Sequence, residues 1–228
     1  MITVYYAQYA PFLQEEIFQY QLNKVEIRRK EKILKQKGRK EQARSLAAGS
    51  ILHYALCREL CLDPDMEEAF LVEYEEGGKP FLKEYPDMHF NLSHSGEYVC
   101  CGAGGEPIGV DIQKQTAVKE KLALRFFTKQ DNHMLDGCSD EERKELFFRM
   151  WSIKESYIKL TGEGMKKGLD SFEIDWNLRA VFEKGKDTPA AFFYEKRDIP
   201  EYSFSICLRN PKQQICFKKI TEEFSHEI

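Results

Sequence analysis

Two short segments constrain this chain more than any other feature. Ile108-Gly109-Val110-Asp111-Ile112-Gln113 is an apolar, strand-like run with a single acid inside it. Trp151-Ser152-Ile153-Lys154-Glu155-Ser156-Tyr157-Ile158-Lys159 carries helical spacing, with Trp151, Glu155 and Lys159 at i, i+4 and i+8 on one stripe. An acid on a strand and an acid beside a lysine on a distant helix can hold Mg²⁺ and a phosphate-bearing ligand between them. Taken alone, Glu155 and Lys159 read more simply as an exposed i,i+4 salt bridge.

The chain has 228 residues, enough for one large domain or two small ones with a proper core. Hydrophobic residues make up 42% and charged residues 32%, which places it among globular rather than disordered chains. Its 34 basic and 38 acidic residues give a net charge of −4, which argues against a general nucleic-acid binder. The charge is uneven. Residues 24–44 form a strongly basic stretch containing Arg28, Arg29, Lys30, Lys32, Lys35, Lys37, Arg39, Lys40 and Arg44. A local basic face on an acidic protein suits one anionic ligand, although a solvated helix face has the same composition.

The chain opens Met1-Ile2-Thr3-Val4-Tyr5 without a basic-then-apolar leader, and no apolar run approaches the ~20 residues of a membrane span. Seven scattered cysteines are an odd number, so a reducing, cytoplasmic setting and no membrane association are expected. His53, Cys57 and Cys61 imitate a metal site. On one helix, however, the outer two lie about 12 Å apart and cannot close on one ion.

Residues 2–9 read as a strand, and residues 14–37 and 39–61 as two helices broken near Gly38. The second keeps Leu46, Ile51, Tyr54, Ala55 and Leu56 for burial. Residues 69–74 are strand-like, and Gly77-Gly78-Lys79-Pro80 is a turn. Residues 89–93 and 98–102 form a hairpin about Ser95-Gly96-Glu97. Gly102-Ala103-Gly104-Gly105 lacks the lysine and following helix of a phosphate loop, so it reads as a strand connection.

Further along, residues 117–127 are amphipathic and helical, and Ser139 with Glu142 forms a capping box. It launches a long helix through Leu160 that Gly162 ends in a left-handed cap. Residues 172–176, 191–194, 202–208 and 214–220 alternate or run apolar, as an antiparallel sheet requires. The expected fold is α+β in two lobes, 1–106 and 107–228.

Three more segments join the first two. They are Arg44-Ser45-Leu46-Ala47-Ala48-Gly49, Gly78-Lys79-Pro80 and Asn91-Leu92-Ser93-His94-Ser95. The five, in this order, resemble the motifs of the 4′-phosphopantetheinyl transferases of the surfactin-type (Sfp-like) branch, and the resemblance covers essentially the whole chain. It implies two similar lobes related by a pseudo-two-fold, each a small antiparallel sheet packed with a long helix, with coenzyme A in the cleft between them. It also implies transfer of the phosphopantetheine arm of coenzyme A to a serine of an apo acyl- or peptidyl-carrier protein, with Mg²⁺, release of 3′,5′-ADP and a monomeric enzyme.

By the same resemblance Asp111, Gln113 and Glu155 hold the metal, and Glu155 and Lys159 are catalytic. Either Glu155 or a water on the ion takes the serine proton. Arg29, Lys32, Arg44, Ser45, Lys79, Ser93 and His94 would contact the nucleotide. A guanidinium fork suits phosphate, which favours Arg29 or Arg44 for that task. Carrier recognition is expected around residues 117–134, through Phe126, Phe127 and nearby lysines.

One departure stands out. Many members carry an acid two residues after the aspartate, where this chain has Gln113. The lost charge leaves a second reading open, a weakened coenzyme A or carrier-binding module. A metal-dependent phosphohydrolase is disfavoured, because the chain lacks the histidine-rich or multi-aspartate clusters such enzymes use.

Overall fold

The computed structural model describes residues 1–63, 70–118 and 120–221. The chain is α+β and divides into two compact units. One holds residues 1–74, 80–106 and the chain from Gln214; the other holds Glu75–Lys79 and Pro107–Gln213.

In the first unit β1 (Ile2–Gln8), β4 (His89–Ser95), β5 (Tyr98–Gly104) and β11 (Ile215–Lys219) form a sheet in the order β11-β1-β5-β4. β4 and β5 are the expected hairpin, and α3 (Arg39–Leu60) packs across the sheet. Leu46, Ile51, Ala55 and Leu56 of α3 are fully buried there with Tyr5, Val99 and Cys101, while Tyr54 is partly buried. A short hairpin, β2 (Val72–Tyr74) with β3 (Pro80–Leu82), completes the unit's strands. Residue 69, expected to open that strand, lies outside the described residues.

The sequence reading needs three corrections here. The expected helix over 14–37 is two, α1 (Glu15–Lys24) and α2 (Ile27–Leu34). Val25 and Glu26 are extended, and Glu26 caps α2 by accepting from the Arg28 N–H. The break lets α2 turn Ile33 into the core against α3. The last strand, expected in the second lobe, pairs in the first, because β11 runs beside β1 from Ile2↔Ile215 to Tyr6↔Lys219. That pairing is parallel, so this sheet is mixed rather than antiparallel.

In the second unit β6 (Ile108–Lys114), β7 (Phe172–Asp175), β8 (Ala180–Glu183), β9 (Ala191–Lys196) and β10 (Tyr202–Leu208) make an antiparallel sheet ordered β6-β10-β9-β8-β7. The residues 117–127 expected as one helix give α4 (Glu120–Phe126), with Lys119 outside the described residues. α5 (Lys129–Asp136) was not anticipated, and its Thr128/Asp131 capping box uses a shorter acid than the usual Glu or Gln. α6 (Asp140–Thr161) starts on the Ser139/Glu142 box and ends at left-handed Gly162, as expected.

α6 lies on β6 and β10 at backbone-contact distance. A Cβ at Gly109 would meet the Ser156 carbonyl oxygen at 1.9 Å and the Leu160 nitrogen at 2.5 Å, so only glycine fits. Ser152, small and buried, donates its hydroxyl to the Asp111 carbonyl at 2.9 Å. Gly109, Asp111 and Gln113 share one strand face by alternation, so this close approach sets the Asp111 side chain against the helix.

Candidate active site

The strand acid and the helix stripe do come together in the second unit. Asp111 is 5% exposed, and its Oδ1 accepts from Lys159 Nζ at 2.7 Å. The same ammonium donates to the Val110 carbonyl at 3.1 Å. Lys159 therefore reaches back onto β6 and pairs with Asp111, one turn beyond Glu155 on α6. Burial first, and then the Asp111 charge, raise the proton affinity of Glu155, with Lys159 opposing. Two carboxylates close enough to repel are the electrostatic signature of a site that suits added positive charge.

The donor set fits a hard dication. It offers two carboxylates, with the Gln113 amide on the same strand face, and Mg²⁺ keeps several waters when protein oxygens are few. Among the described residues no group of three His, Cys, Asp or Glu side chains converges as a metal cage.

Trp151, first on the stripe, does not join the acids. It stacks on Phe147 and meets Phe126 and Phe127 with ring centroids 6.0–6.2 Å apart. Phe127 is core and cannot greet a partner, contrary to the sequence reading. Phe126 is half-buried, and the exposed apolar residue of α4 is instead Leu124, 75% exposed between exposed Lys121 and Arg125.

The first unit holds a cavity of about 320 Å³ lined by Gln36, Lys37, Glu41, Arg44, Ser45 and His94. Of the residues expected on the nucleotide, Arg44, Ser45 and His94 meet there. Ser93 is buried, lies on the opposite face of β4 by alternation, and is not part of this lining. Arg29, on α2, lies against α3, where its guanidinium donates to the Ser45 carbonyl at 3.4 Å. It occupies the space a side chain at Gly49 would need, since a Cβ there would sit 2.6 Å from Arg29 Nε. Burial lowers its pKa. Lys32 stays exposed on α2 and outside the cavity. Gln36, Lys37 and Glu41 were missed; Lys37 was visible only as one member of the basic run.

Lys79 belongs to the second unit, where its ammonium donates to the Leu160 carbonyl at the end of α6 at 2.8 Å. Desolvation lowers its pKa, partly offset by Glu75. Lys154, adjacent to Glu155, was also missed as a structural element. It is completely buried, paired with Asp131 at 2.8 Å and bonded to the Leu169 and Phe172 carbonyls at 2.9 and 3.1 Å. Its only sequence signal was a lysine on a helix that also packs Ile153 and Tyr157. His53 and Cys57 touch at 3.5 Å, while Cys61 lies past the helix end in a left-handed conformation, so they form no metal site.

Comparison with known proteins adds an independent line. Residues 107–207 match the family model of the 4′-phosphopantetheinyl transferase superfamily, and residues 8–106 match that of the 4′-phosphopantetheinyl transferase N-terminal region. The chain is 33% identical over 175 residues to 4′-phosphopantetheinyl transferase Sfp of Bacillus subtilis, covering 75% of this chain and 77% of that protein. It is 29% identical over 209 residues to 4′-phosphopantetheinyl transferase gsp of Aneurinibacillus migulanus, covering 91% and 86%. A solved Thermotoga maritima holo-[acyl-carrier-protein] synthase is similar at 16% identity and a TM-score of 0.34, over 45% of this chain and 61% of that one. The two family-model matches and the similarity to the Bacillus subtilis transferase show that the chain belongs to the Sfp-like 4′-phosphopantetheinyl transferases.

Proposed function

We propose that the protein converts apo carrier proteins to their holo form, moving the 4′-phosphopantetheine group of coenzyme A onto a carrier serine with release of 3′,5′-ADP. The observation that carries this reading is the Asp111–Lys159 pair beside Glu155, a phosphoryl-transfer arrangement of acids and a cation in one half-buried place. In the reaction the serine oxygen bonds to the phosphorus that bears the pantetheine arm. The bond from that phosphorus to the bridging oxygen breaks, and the electron pair leaves with 3′,5′-ADP. The serine proton goes to a base.

Glu155 is the protein group suited to receive that proton, because burial and Asp111 raise its affinity for it. Asp111 and Glu155, with Gln113 beside them, would hold Mg²⁺, which supplies charge neutralisation at the pyrophosphate when bound. Lys159 offers a second positive charge at the same place. Arg29, Arg44, Ser45 and His94 would contact the nucleotide, with Lys32 as a looser charge on the same helix as Arg29. For Ser93 and Lys79 a nucleotide role has less support, since one is buried on the far face of β4 and the other is engaged on α6. Exposed Lys121, Leu124 and Arg125 are the residues of α4 that suit an acidic carrier helix.

Among the described residues no helix is long and apolar enough to cross a membrane. The reading of a cytoplasmic monomer remains part of this proposal.

The direct test mixes the protein with coenzyme A, Mg²⁺ and a panel of apo acyl- and peptidyl-carrier proteins, and follows carrier mass. A gain equal to phosphopantetheine on the carrier serine is expected. Tight binding of coenzyme A or carrier without any gain would replace transfer with the binding-module reading that Gln113 raises.

Two further outcomes follow from the geometry. Arg29→Ala should raise the apparent KM for coenzyme A about tenfold with a smaller change in kcat, the loss of one charge-assisted contact remote from the reacting phosphorus. Gly49→Ala should act in the same direction by displacing the guanidinium, and Lys32→Ala should do less because its ammonium is solvated. Comparison with 3′-dephospho-coenzyme A decides whether Arg29 reads that phosphate; equal weakening of both donors would mean that it does not.

Gln113→Glu should lower the Mg²⁺ concentration giving half-maximal activity, with little change in rate at saturation. The variant puts a carboxylate on the face shared with Asp111, where the amide carries no net charge. An unchanged or higher Mg²⁺ midpoint would place residue 113 away from the ion.

A further inference from the structure

The loop between β2 and β3 does something its motif does not announce. Glu75–Lys79 belongs to the second unit, and it is held in a tight bend by Gly78 N–H to the Glu75 carbonyl at 2.8 Å and Glu75 N–H to the Lys79 carbonyl at 2.9 Å. Gly77 in this bend lies against the Gly162 backbone so closely that a Cβ on it would sit 2.2 Å from the Gly162 carbonyl oxygen. Gly162 in turn presents no side chain, and a Cβ there would press on Lys79 Cδ at 3.1 Å. The Lys79 chain thus runs across Gly162 and brings its ammonium to the Leu160 carbonyl at 2.8 Å.

This contact meets the end of α6 where helices leave carbonyls without internal partners. The last turn is closed by the Gly162 N–H on the Ile158 carbonyl at 3.0 Å and the Thr161 hydroxyl on the same oxygen. Lys79 takes the Leu160 carbonyl, two residues further on, and puts a cation at the negative end of the helix dipole. The same turn carries Lys159, whose ammonium holds Asp111. The residue Lys79 contacts, Leu160, directly follows Lys159 in the helix.

We infer that Gly77 and Lys79 form a clasp on the C-terminal turn of α6, and that Lys79 is a positioning residue that sets Lys159 against Asp111. Lys79 acts through the helix end, where the resemblance to the family would have it act on the nucleotide. The two roles make different demands. A nucleotide ligand matters only when coenzyme A is present and is indifferent to a methyl on Gly77. A clasp holds the helix turn in the ligand-free protein, and a methyl on Gly77 opens it without removing any charge.

The experiment compares hydrogen exchange in the ligand-free, full-length protein with steady-state kinetics for wild type, Lys79→Met, Lys79→Arg and Gly77→Ala. Both Lys79→Met and Gly77→Ala should speed exchange at the amides of residues 160–163 while those of residues 145–155 keep their protection. Each should lower kcat about tenfold, the scale of a small misplacement of a reacting group, with KM for coenzyme A within about twofold of wild type. Lys79→Arg, which keeps a donor at the helix end, should recover part of kcat.

Unchanged exchange in Lys79→Met together with a raised KM alone would overturn the inference and return Lys79 to the nucleotide. Silence of Gly77→Ala in both measurements would overturn it as well. So would loss of protection throughout the protein in Lys79→Met, which would make the lysine a determinant of folding rather than of one turn. The kinetic arm rests on the transfer reading, but the exchange arm does not. An inactive wild type would count against transfer and leave the exchange comparison to decide the clasp.

Discussion

Asp111→Ala and Glu155→Ala are each expected to cut turnover by ~10²–10³-fold or more at saturating Mg²⁺, the loss of several kcal/mol of electrostatic stabilisation. Neither should unfold the protein. In Asp111→Ala the Lys159 ammonium keeps the Val110 carbonyl and is 26% exposed, so water solvates the orphaned charge. In Glu155→Ala a carboxyl that burial already disfavours as an anion disappears, which removes a strained charge rather than a supporting one. Circular dichroism melts should therefore move by a few degrees at most while the rates collapse. Near-normal turnover of both variants would show that these acids do not serve the reaction, and with them would go the assignment of a metal to this place.

The largest expected effect on stability lies one residue away. Lys154→Met should cost ~3–5 kcal/mol, the typical result of removing one partner of a buried pair. Lys154 is fully buried, and its pKa is lowered by desolvation against the pull of Asp131. Its three acceptors come from three segments: the first turn of α5, the Leu169 loop and the start of β7. The ammonium also lies over the Phe172 ring at 4.8 Å.

Without the lysine, Asp131 stays buried without its cation and keeps the Thr128 N–H at 3.0 Å. Adding Asp131→Asn should recover part of the loss, because the uncompensated charge is the main penalty. Urea unfolding of the single and double variants measures this. A single-variant cost below ~1 kcal/mol, or a double variant no better than the single, would contradict the buried-pair account.

Much of the site was legible in the residues. The motifs join Asp111, in an apolar strand, with Glu155 and Lys159, one turn apart on a helix, and the fold pairs Lys159 with Asp111 and sets Glu155 where it feels the Asp111 charge. Arg44 and His94, read from separate motifs, line one cavity. What could not be read was how each side chain spends its charge. Lys159, catalytic by the resemblance, holds Asp111 in the folded chain. Lys79 was expected on a nucleotide, and it sits on a helix end. Phe127 was expected at a surface, and it is core. A charged or aromatic residue in a motif has the same letter whether it meets a ligand or a neighbouring carbonyl.

The sequence by itself determined the features that neighbouring residues settle among themselves. The Ser139/Glu142 box and Gly162 set the ends of α6, since capping partners lie within a few residues. Alternation set β6 and β10, and Gly96 set the hairpin turn between β4 and β5. Tertiary structure alone decided where β11 pairs, because a short strand with half-buried residues fits either sheet until β1 offers an open edge. It alone broke the helix at Val25, so that α2 could lay Arg29 over Gly49. It alone drew Lys154 to Asp131 and Lys79 to Leu160, contacts 23 and 81 residues apart in the chain. Such pairings depend on which buried charge or open helix end the folded chain brings within 3 Å, and no local preference encodes that.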